Sequence, residues 1–174
     1  VQGTLLRATI HLVSAADYWP FAIAVREARR GWWRRVQAKG RTEADLEAPI
    51  ARLQARLAEG PVTQAELDDV VGRPAVPAIG LWVDLVRVPP SGTWERRRAD
   101  LYGLAEEWLG PEPDLDEEEA RKHLVRRYLG AFGPAARTDI ANWAGMRVGT
   151  LAGALERPRL RRVRDEDGRE LLDL

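Results

Sequence analysis

The sequence predicts a mainly helical α+β protein in which groups of short helices are followed by small β-hairpins. The first observation is an internal repeat, in which residues 60–72 align without a gap on residues 133–145. The second is that a hairpin signature follows each copy of the repeat. The third is a composition of 45% hydrophobic and 31% charged residues with zero formal net charge, which is ordinary for a globular domain.

Each copy of the repeat carries the signals of one short helix. A Gly-Pro pair ends the preceding helix, and Glu66 or Asp139 lies early in the next one. Leu67, Val70 and Val71 of the first copy recur at helical spacing, and a glycine then ends the helix. A helix, a turn, a short helix and a glycine corner form the first half of a helix-turn-helix. Two copies in register predict two tandem winged helix-turn-helix units.

Residues 1–41 are predicted as a strand and a long helix that belong to, or link from, a preceding winged-helix unit. Residues 4–13 are rich in Thr, Ile, Leu and Val, which favours a strand. Ser14 is a helix-capping residue, and a helix is expected over residues 15–39. Because the chain begins and ends within predicted secondary structure, we expect it to be a piece of a longer protein.

Residues 42–110 are predicted as one winged helix. Apolar residues at three- and four-residue spacing over residues 46–57 predict a first helix with one buried face. The first copy of the repeat supplies the second helix, and residues 76–85 the third. Two short apolar runs around the turn at residues 89–92 then predict a hairpin, the wing.

Residues 111–174 are predicted as a second winged helix with the same order of elements. Two prolines in residues 110–114 mark the boundary, and Asp116 opens a helix. The second copy of the repeat supplies the middle helix, and residues 148–155 the third. An Asp-Gly turn at residues 167–168 lies between two strand-like runs and predicts the second wing.

Several stretches carry motifs of a known family. They are RATIHLVSAAD at residues 7–17, VPPSGTW at 88–94, AEEWLG at 105–110, and RYLGAFGP at 127–134 continuing to DIANWAG at 139–145. They resemble the winged-helix DNA-binding proteins that include the AlkZ-like DNA glycosylases, with Ala8 where the family has glycine. The last stretch is the most specific, and together the stretches span most of the chain.

The resemblance implies three tandem winged helices around a concave basic surface that holds duplex DNA. In the glycosylase members, a Gln-x-Gln or Gln-x-Asp pair in the first winged helix cleaves the glycosidic bond of an alkylated base. Gln2, Gln37, Gln54 and Gln64 are the only glutamines here, and none stands in such a pair. The resemblance therefore implies DNA binding by this chain within a monofunctional repair glycosylase, whose first winged helix would precede Val1.

Arginine clusters supply the predicted contacts to duplex DNA. Residues 29–35 combine arginines that neutralise phosphates with tryptophans that stack or wedge; a helix that buries one tryptophan beneath solvated arginines explains them equally well. In residues 111–174 the third helix and the wing are expected at the groove and backbone; the alternative is a solvated hairpin whose arginines pair with the acids at 165–167. The predicted DNA-binding residues are Arg29, Arg30, Arg34, Arg35, Arg96, Arg97, Arg147, Thr150, Arg159, Arg161, Arg162 and Arg164.

Other chemistries find little support in the sequence. Two histidines without cysteine are too few for a self-contained metal site, and no phosphate-binding glycine motif or nucleophile elbow occurs. We therefore predict no catalytic residue, cofactor or metal, with Asp17 explained as a helix cap and His123 as a surface residue. No apolar run approaches the ~20 residues that cross a bilayer, and no secretion signal is visible. A cytoplasmic protein is expected, and no feature indicates a homo-oligomer.

Two other functions stay open. A transcription regulator would bind DNA with a steep loss at operator mismatches, whereas sequence-blind, salt-sensitive binding favours repair. A protein-interaction module without enzymatic activity would dock through the apolar segment at residues 76–85.

Overall fold

A computed structural model of the chain describes residues 1–72, 75–91, 93–96, 100–156 and 160–174. Helices predominate and the strands form small antiparallel sheets, which confirms the predicted α+β class. None of the helices described is long and apolar enough to cross a membrane. The chain divides into two compact units: a first unit of Val1–Thr4, Ile10–Ala15 and Arg29–Glu112, and a second unit of Leu5–Thr9, Ala16–Ala28 and Pro113–Leu174. The division predicted from sequence, at residues 42 and 111, stays a prediction.

The N-terminal residues form a hairpin, so the prediction of a single strand over residues 4–13 was wrong. Strand β1 (Gln2–Thr4) pairs antiparallel with β2 (Ile10–Leu12). Between them Arg7 and Ala8 adopt positive φ angles of 52° and 56°, a left-handed conformation that non-glycine residues rarely take. A composition rich in β-branched residues gives no sign of a turn made in this way.

Helix α1 (Ala15–Val36) follows the hairpin and contributes residues to both units. Its two adjacent tryptophans have different environments, because neighbouring residues on a helix point about 100° apart. Trp33 is 1% exposed and belongs to the core of the first unit, whereas Trp32 is 40% exposed. The helix ends three residues before the predicted Lys39.

The described part of the first unit continues with four helices and a sheet. Its elements are α2 (Ala44–Leu57), β3 (Val62–Thr63), α3 (Gln64–Val71), α4 (Val76–Ile79), β4 (Leu85–Arg87), β5 (Leu101–Leu104) and α5 (Ala105–Leu109). The sheet has the strand order β2-β1-β4-β5-β3. The predicted face of α2 is buried, with Leu46, Leu53 and Leu57 in the core. The third helix is shorter than the predicted residues 76–85, because a series of turns follows α4 before β4 begins.

The second unit contains the helices and the hairpin of the C-terminal region. Its elements are α6 (Glu117–Phe132), α7 (Arg137–Ala144), a 3-10 helix (Val148–Leu151), α8 (Ala152–Leu155), β6 (Arg161–Arg164) and β7 (Glu170–Asp173). Asp116 caps α6 as predicted, since its Oδ1 accepts the Glu119 N–H at 2.8 Å. The predicted third helix is present as the 3-10 helix and α8, and Leu151 and Leu155 are buried as expected.

The two copies of the repeat adopt the same local arrangement. Val62 pairs with Tyr102 of β5, and the equivalent Ala135 pairs with Leu172 of β7 through two backbone hydrogen bonds of 2.9 and 2.8 Å. Each copy continues into a helix of eight residues, α3 or α7. Each helix ends at a glycine with positive φ, 81° in the first copy and 71° in the second. The repeated residues therefore build the same bridge, helix and corner in each unit.

The start of the helix differs between the copies. In the first copy the Thr63 Oγ1 accepts the Glu66 N–H at 3.3 Å, and the Glu66 carboxylate accepts the Thr63 N–H at 2.8 Å. In the second copy Ala136 has no hydroxyl, and only the reverse bond remains, from the Ala136 N–H to the Asp139 carboxylate at 3.3 Å. The first copy therefore has the complete capping box and the second has half of it.

Candidate nucleic-acid interface

Two of the predicted arginines on α1 bind backbone carbonyl groups in the first unit. The Arg29 guanidinium donates to the Gly80 carbonyl and the Arg30 Nε to the Leu81 carbonyl, each at 3.0 Å. The Arg30 guanidinium also lies over the Trp82 ring, 5.5 Å from its centre. Both side chains therefore stabilise the turn that follows α4, whatever else they bind.

The next two arginines on α1 are more exposed. Arg34 forms an ion pair with Glu43, with 2.5 Å between Nε and Oε1. Arg35 is exposed, and it forms no hydrogen bond or ion pair with any residue that the structure describes. Trp32, which is also exposed, lies on the same helix. Of the four predicted contacts on α1, Arg35 has the side chain most available to a phosphate.

The loop between β4 and β5 is the predicted wing of the first unit, and Ser91 holds its base together. The buried Ser91 Oγ donates to the Leu101 carbonyl at 3.1 Å and accepts the Leu101 N–H at 2.6 Å. Beyond this link Trp94 is 83% exposed, and Arg96 is exposed as well. Arg97 lies outside the described residues. The wing thus presents an aromatic and a cationic side chain from a fixed base.

The third helix of the second unit offers few polar side chains. Arg147 is exposed just before the 3-10 helix, where its carbonyl accepts the Thr150 N–H at 3.0 Å. Thr150 is half-buried. These two residues were predicted as DNA contacts, and the structure leaves Arg147 as the more accessible of them.

The hairpin of β6 and β7 pairs two of its predicted arginines with carboxylates on the opposite strand. Arg161 lies 2.7 Å from Asp173 and Arg162 lies 3.2 Å from Glu170. Arg164 donates to the Gly168 carbonyl at 2.9 Å. The alternative prediction of a solvated hairpin had the arginines pair with the acids at 165–167, whereas Arg161 and Arg162 pair with Asp173 and Glu170. Arg159 lies outside the part of the chain that is described.

Hydrogen bonds donated by Arg161 and Arg169 lower the pKa of two carboxyl groups of the hairpin. The bond from Arg161 lowers the pKa of Asp173 below its ordinary value. The pKa of Asp165 is also lowered, chiefly because its carboxylate accepts the Arg169 backbone N–H in the turn. Both carboxylates are therefore ionised at neutral pH and partly neutralise the hairpin.

Asp17 forms a cluster with two side chains of α6, and this cluster was not predicted from the sequence. Asp17 is one of the few buried charged residues, 7% exposed, and it lies in the second unit with α6. Its Oδ1 is 2.7 Å from His123 Nε2 and its Oδ2 is 2.9 Å from the Arg127 guanidinium. Asp17 is therefore an anchor for two side chains of α6, beyond its predicted role as a helix cap. Asp17 and His123 are 106 positions apart in the chain, so no spacing pattern in the sequence could predict this cluster.

A depression of about 610 Å³ lies beside this cluster on the second unit. Its lining offers two guanidinium groups, one imidazole and small or apolar side chains, contributed by His123, Arg126, Arg127, Gly130, Ala131 and Leu174. Among the residues described, no group of three or more His, Cys, Asp or Glu is arranged to hold a metal ion.

Comparison with known proteins gives one family and one related structure. A family model described as "DNA glycosylase AlkZ-like" matches residues 1–174. The solved structure of the Streptomyces sahachiroi DNA glycosylase AlkZ is similar, with a TM-score of 0.70 and 19% sequence identity. The similarity covers 99% of this chain and 52% of that one, so the chain spans about half the length of the solved protein. No curated protein sequence matches significantly.

Proposed function

This chain belongs to the AlkZ-like DNA glycosylase family, and we propose that it is the DNA-binding part of a repair glycosylase, which holds duplex DNA through two winged helices. The observation that carries the proposal is the repeated bridge, eight-residue helix and glycine corner. In each unit a longer helix precedes the repeated segment, and a short helix and a hairpin follow it. This is the order of a winged helix, whose third helix and wing meet DNA.

The contacts are expected to be made mainly to the DNA backbone. The short helices that would enter the major groove carry almost no side chains able to read base edges. Residues 148–155 contain Thr150 as their one polar side chain, and residues 76–85 contain Asp84. Arginine side chains of the wings and of α1 supply the phosphate contacts instead. Binding is therefore expected to depend weakly on sequence and strongly on salt.

Catalysis is not assigned to this chain. The amide of Gln64 is engaged in the first unit, where its oxygen accepts the Tyr102 hydroxyl at 2.9 Å and its nitrogen donates to Asp68 at 2.5 Å. None of the glutamines forms the Gln-x-Gln or Gln-x-Asp pair of the resembled glycosylases. We propose that the complete protein releases alkylated bases and that this chain contributes binding. Base release from methylated duplex DNA by the chain alone would contradict that division.

The first experiment is a fluorescence-anisotropy titration of the chain with labelled duplexes of unrelated sequence. We expect equal affinities for all duplexes and a steep loss of affinity between about 50 and 200 mM salt. Strong preference for one sequence would support a transcription regulator instead. Absence of binding to any duplex at about 50 mM salt would refute the proposed function.

The interaction-module alternative loses support from the segment that suggested it. Ala78, Ile79 and Val83 of residues 76–85 are buried in the core of the first unit. Side chains packed in a core do not form a docking surface. Self-association measured by sedimentation, together with absent DNA binding, is the result that would restore this alternative.

A further inference from the structure

The depression on α6 has the chemistry of an anion-binding site. Its two arginines are three and four residues after His123, a spacing that puts all three side chains on one face of the helix. The next turn of α6 contributes Gly130 and Ala131, which leave the space beside the arginines open. No function was predicted from the sequence for Arg126, Arg127 or His123.

The charges at this depression are arranged with the cations outward. The Asp17 side chain is 9% exposed, whereas the Arg127 side chain is 58% exposed. Arg127 uses one guanidinium nitrogen for Asp17, and a guanidinium has five N–H donors. Arg126 is exposed and has no hydrogen bond or ion pair with any described residue. A ligand that reaches the depression therefore meets guanidinium groups before it meets the carboxylate.

Two of the three acids in the first turn of α6 have cationic partners of their own. At the start of α6, Glu117 pairs with Arg121, and Glu119 pairs with Lys122 at 2.5 Å. Residues 120–132, which complete α6, contain no acid. In the C-terminal half of α6, Arg126 thus has no acidic partner among the described residues, and Arg127 pairs with the buried Asp17 and not with an acid of α6.

We infer that this depression binds a backbone phosphate of duplex DNA, with Arg126 and Arg127 donating to the phosphate oxygens and Asp17 acting as a positioning residue for Arg127. The inference rests on the proposed function, of which it specifies one contact. Planar guanidinium groups suit phosphate because they donate two parallel hydrogen bonds. A guanidinium already fixed by Asp17 loses less side-chain entropy when it binds.

Substitution of each arginine tests the contact. Arg126→Gln and Arg127→Gln are each expected to weaken duplex binding, and the double variant is expected to weaken it about eightfold at ~0.1 M salt and to lower the salt slope by about 0.9, the values for one lost phosphate contact. Lys122→Gln is the matched control, because it removes one charge from the same helix at a residue that pairs with Glu119 and does not line the depression. Its affinity is expected to stay within about twofold.

The outcomes separate this inference from the proposed function. If the unsubstituted chain binds duplex DNA while both arginine variants keep its affinity and salt slope, the α6 site is refuted and the proposed function stands. If the unsubstituted chain does not bind, the proposed function fails first. Equal losses in Lys122→Gln and the arginine variants would also overturn the site, since they would reflect charge alone.

Asp17→Asn tests the positioning role by the sign of its effect. If Asp17 affected binding only through its negative charge, loss of that charge would reduce the repulsion of the phosphate and tighten duplex binding. If Asp17 positions Arg127, the variant binds several-fold more weakly and its salt slope falls as in Arg127→Gln. Tighter binding would overturn the positioning role. Arg126→Gln, which disturbs no described contact, tests the site even if Asp17→Asn fails to fold.

Discussion

The hairpin of β6 and β7 allows a sharp test of DNA contact, because adjacent arginines on β6 lie on opposite faces. The register places Arg161 opposite Asp173 and Arg162 opposite Leu172. Arg164 shares the face of Arg162, since side chains alternate along a strand. A DNA backbone can therefore meet Arg162 and Arg164 together, but not Arg161 as well. The test is the double variant Arg162→Gln and Arg164→Gln. Arg161→Gln, which changes an arginine on the other face of the hairpin, is its control.

The size of the expected loss follows from phosphate contacts and ion pairs. Each neutralised phosphate is worth about eightfold in affinity between ~1 M and ~0.1 M salt, so two contacts give at most about 60-fold. Arg164 donates to a carbonyl oxygen and keeps its charge available. Arg162 must leave Glu170, 3.2 Å away, and an exposed pair of this kind is worth about 0–1 kcal/mol. We therefore expect the double variant to bind about 10- to 60-fold more weakly at ~0.1 M salt.

The assay is anisotropy of a labelled duplex at several salt concentrations, with thermal unfolding as the check on the fold. The double variant is expected to lower the salt slope by about 1.8, and Arg161→Gln to change affinity by less than about twofold. An unchanged double variant would exclude the hairpin from the interface. If Arg161→Gln lost as much affinity per arginine removed as the double variant, net charge would control binding, and not one face of the hairpin.

Three further predictions follow from named contacts. Glu170→Gln frees Arg162 and is expected to tighten duplex binding by up to about fivefold in the same titration, since the pair that it removes is worth at most about 1 kcal/mol. Thr63→Ala removes the hydroxyl half of the capping box and is expected to cost about 1 kcal/mol in urea unfolding, whereas Ala136→Gly in the half-box removes no capping oxygen and should cost nothing at the cap itself, because glycine is a better N-cap residue than alanine. The pKa of Glu66 is lowered to about 2, mainly by the Thr63 backbone N–H; this stabilisation is present above about pH 4.5 and is lost as pH falls towards 2, and unfolding of Glu66→Gln should lack that pH dependence.

The helices with strong local signals could be predicted from the sequence. The buried face of α2 follows from leucine spacing, and the start of α6 follows from Asp116, because both depend on residues within one or two turns. The repeat predicted equivalent helices in both units, and α3 and α7 have equal lengths and equivalent glycine corners. Local chemistry therefore determined the elements that were predicted correctly.

The elements that were missed depend on residues distant in the chain. Strand β3 has two residues, and the bridge at Ala135 is a single pair with Leu172. Elements this short have no periodicity of their own and exist because a partner strand provides hydrogen bonds. The third helix was predicted too long for a related reason: its apolar residues after Ile79 lie in turns and at the start of β4, where Val83 is buried and the others are partly buried. Burial alone does not distinguish a helix from a packed turn.

The candidate site was predicted only in part, because charge can be counted from sequence while its partners cannot. The arginine clusters were visible, but the carbonyl groups bound by Arg29 and Arg30 lie 51 residues away. The ion pair between Asp17 and Arg127 likewise joins residues that are distant in the chain. Which arginines are available to DNA is a property of the folded chain.

Zero net charge is compatible with DNA binding because the positive and negative residues are separated along single elements. On α6 the acids occupy the first turn, where the helix dipole favours them, and Arg126 and Arg127 lie beyond them. On the hairpin, two carboxylates of β7, those of Glu170 and Asp173, bind arginines of β6 across the ladder. Exposed pairs of this kind cost little to break, so a phosphate can replace a carboxylate at close range. A neutral chain attracts DNA weakly from a distance, and we therefore expect its affinity to come from short-range contacts that salt disrupts.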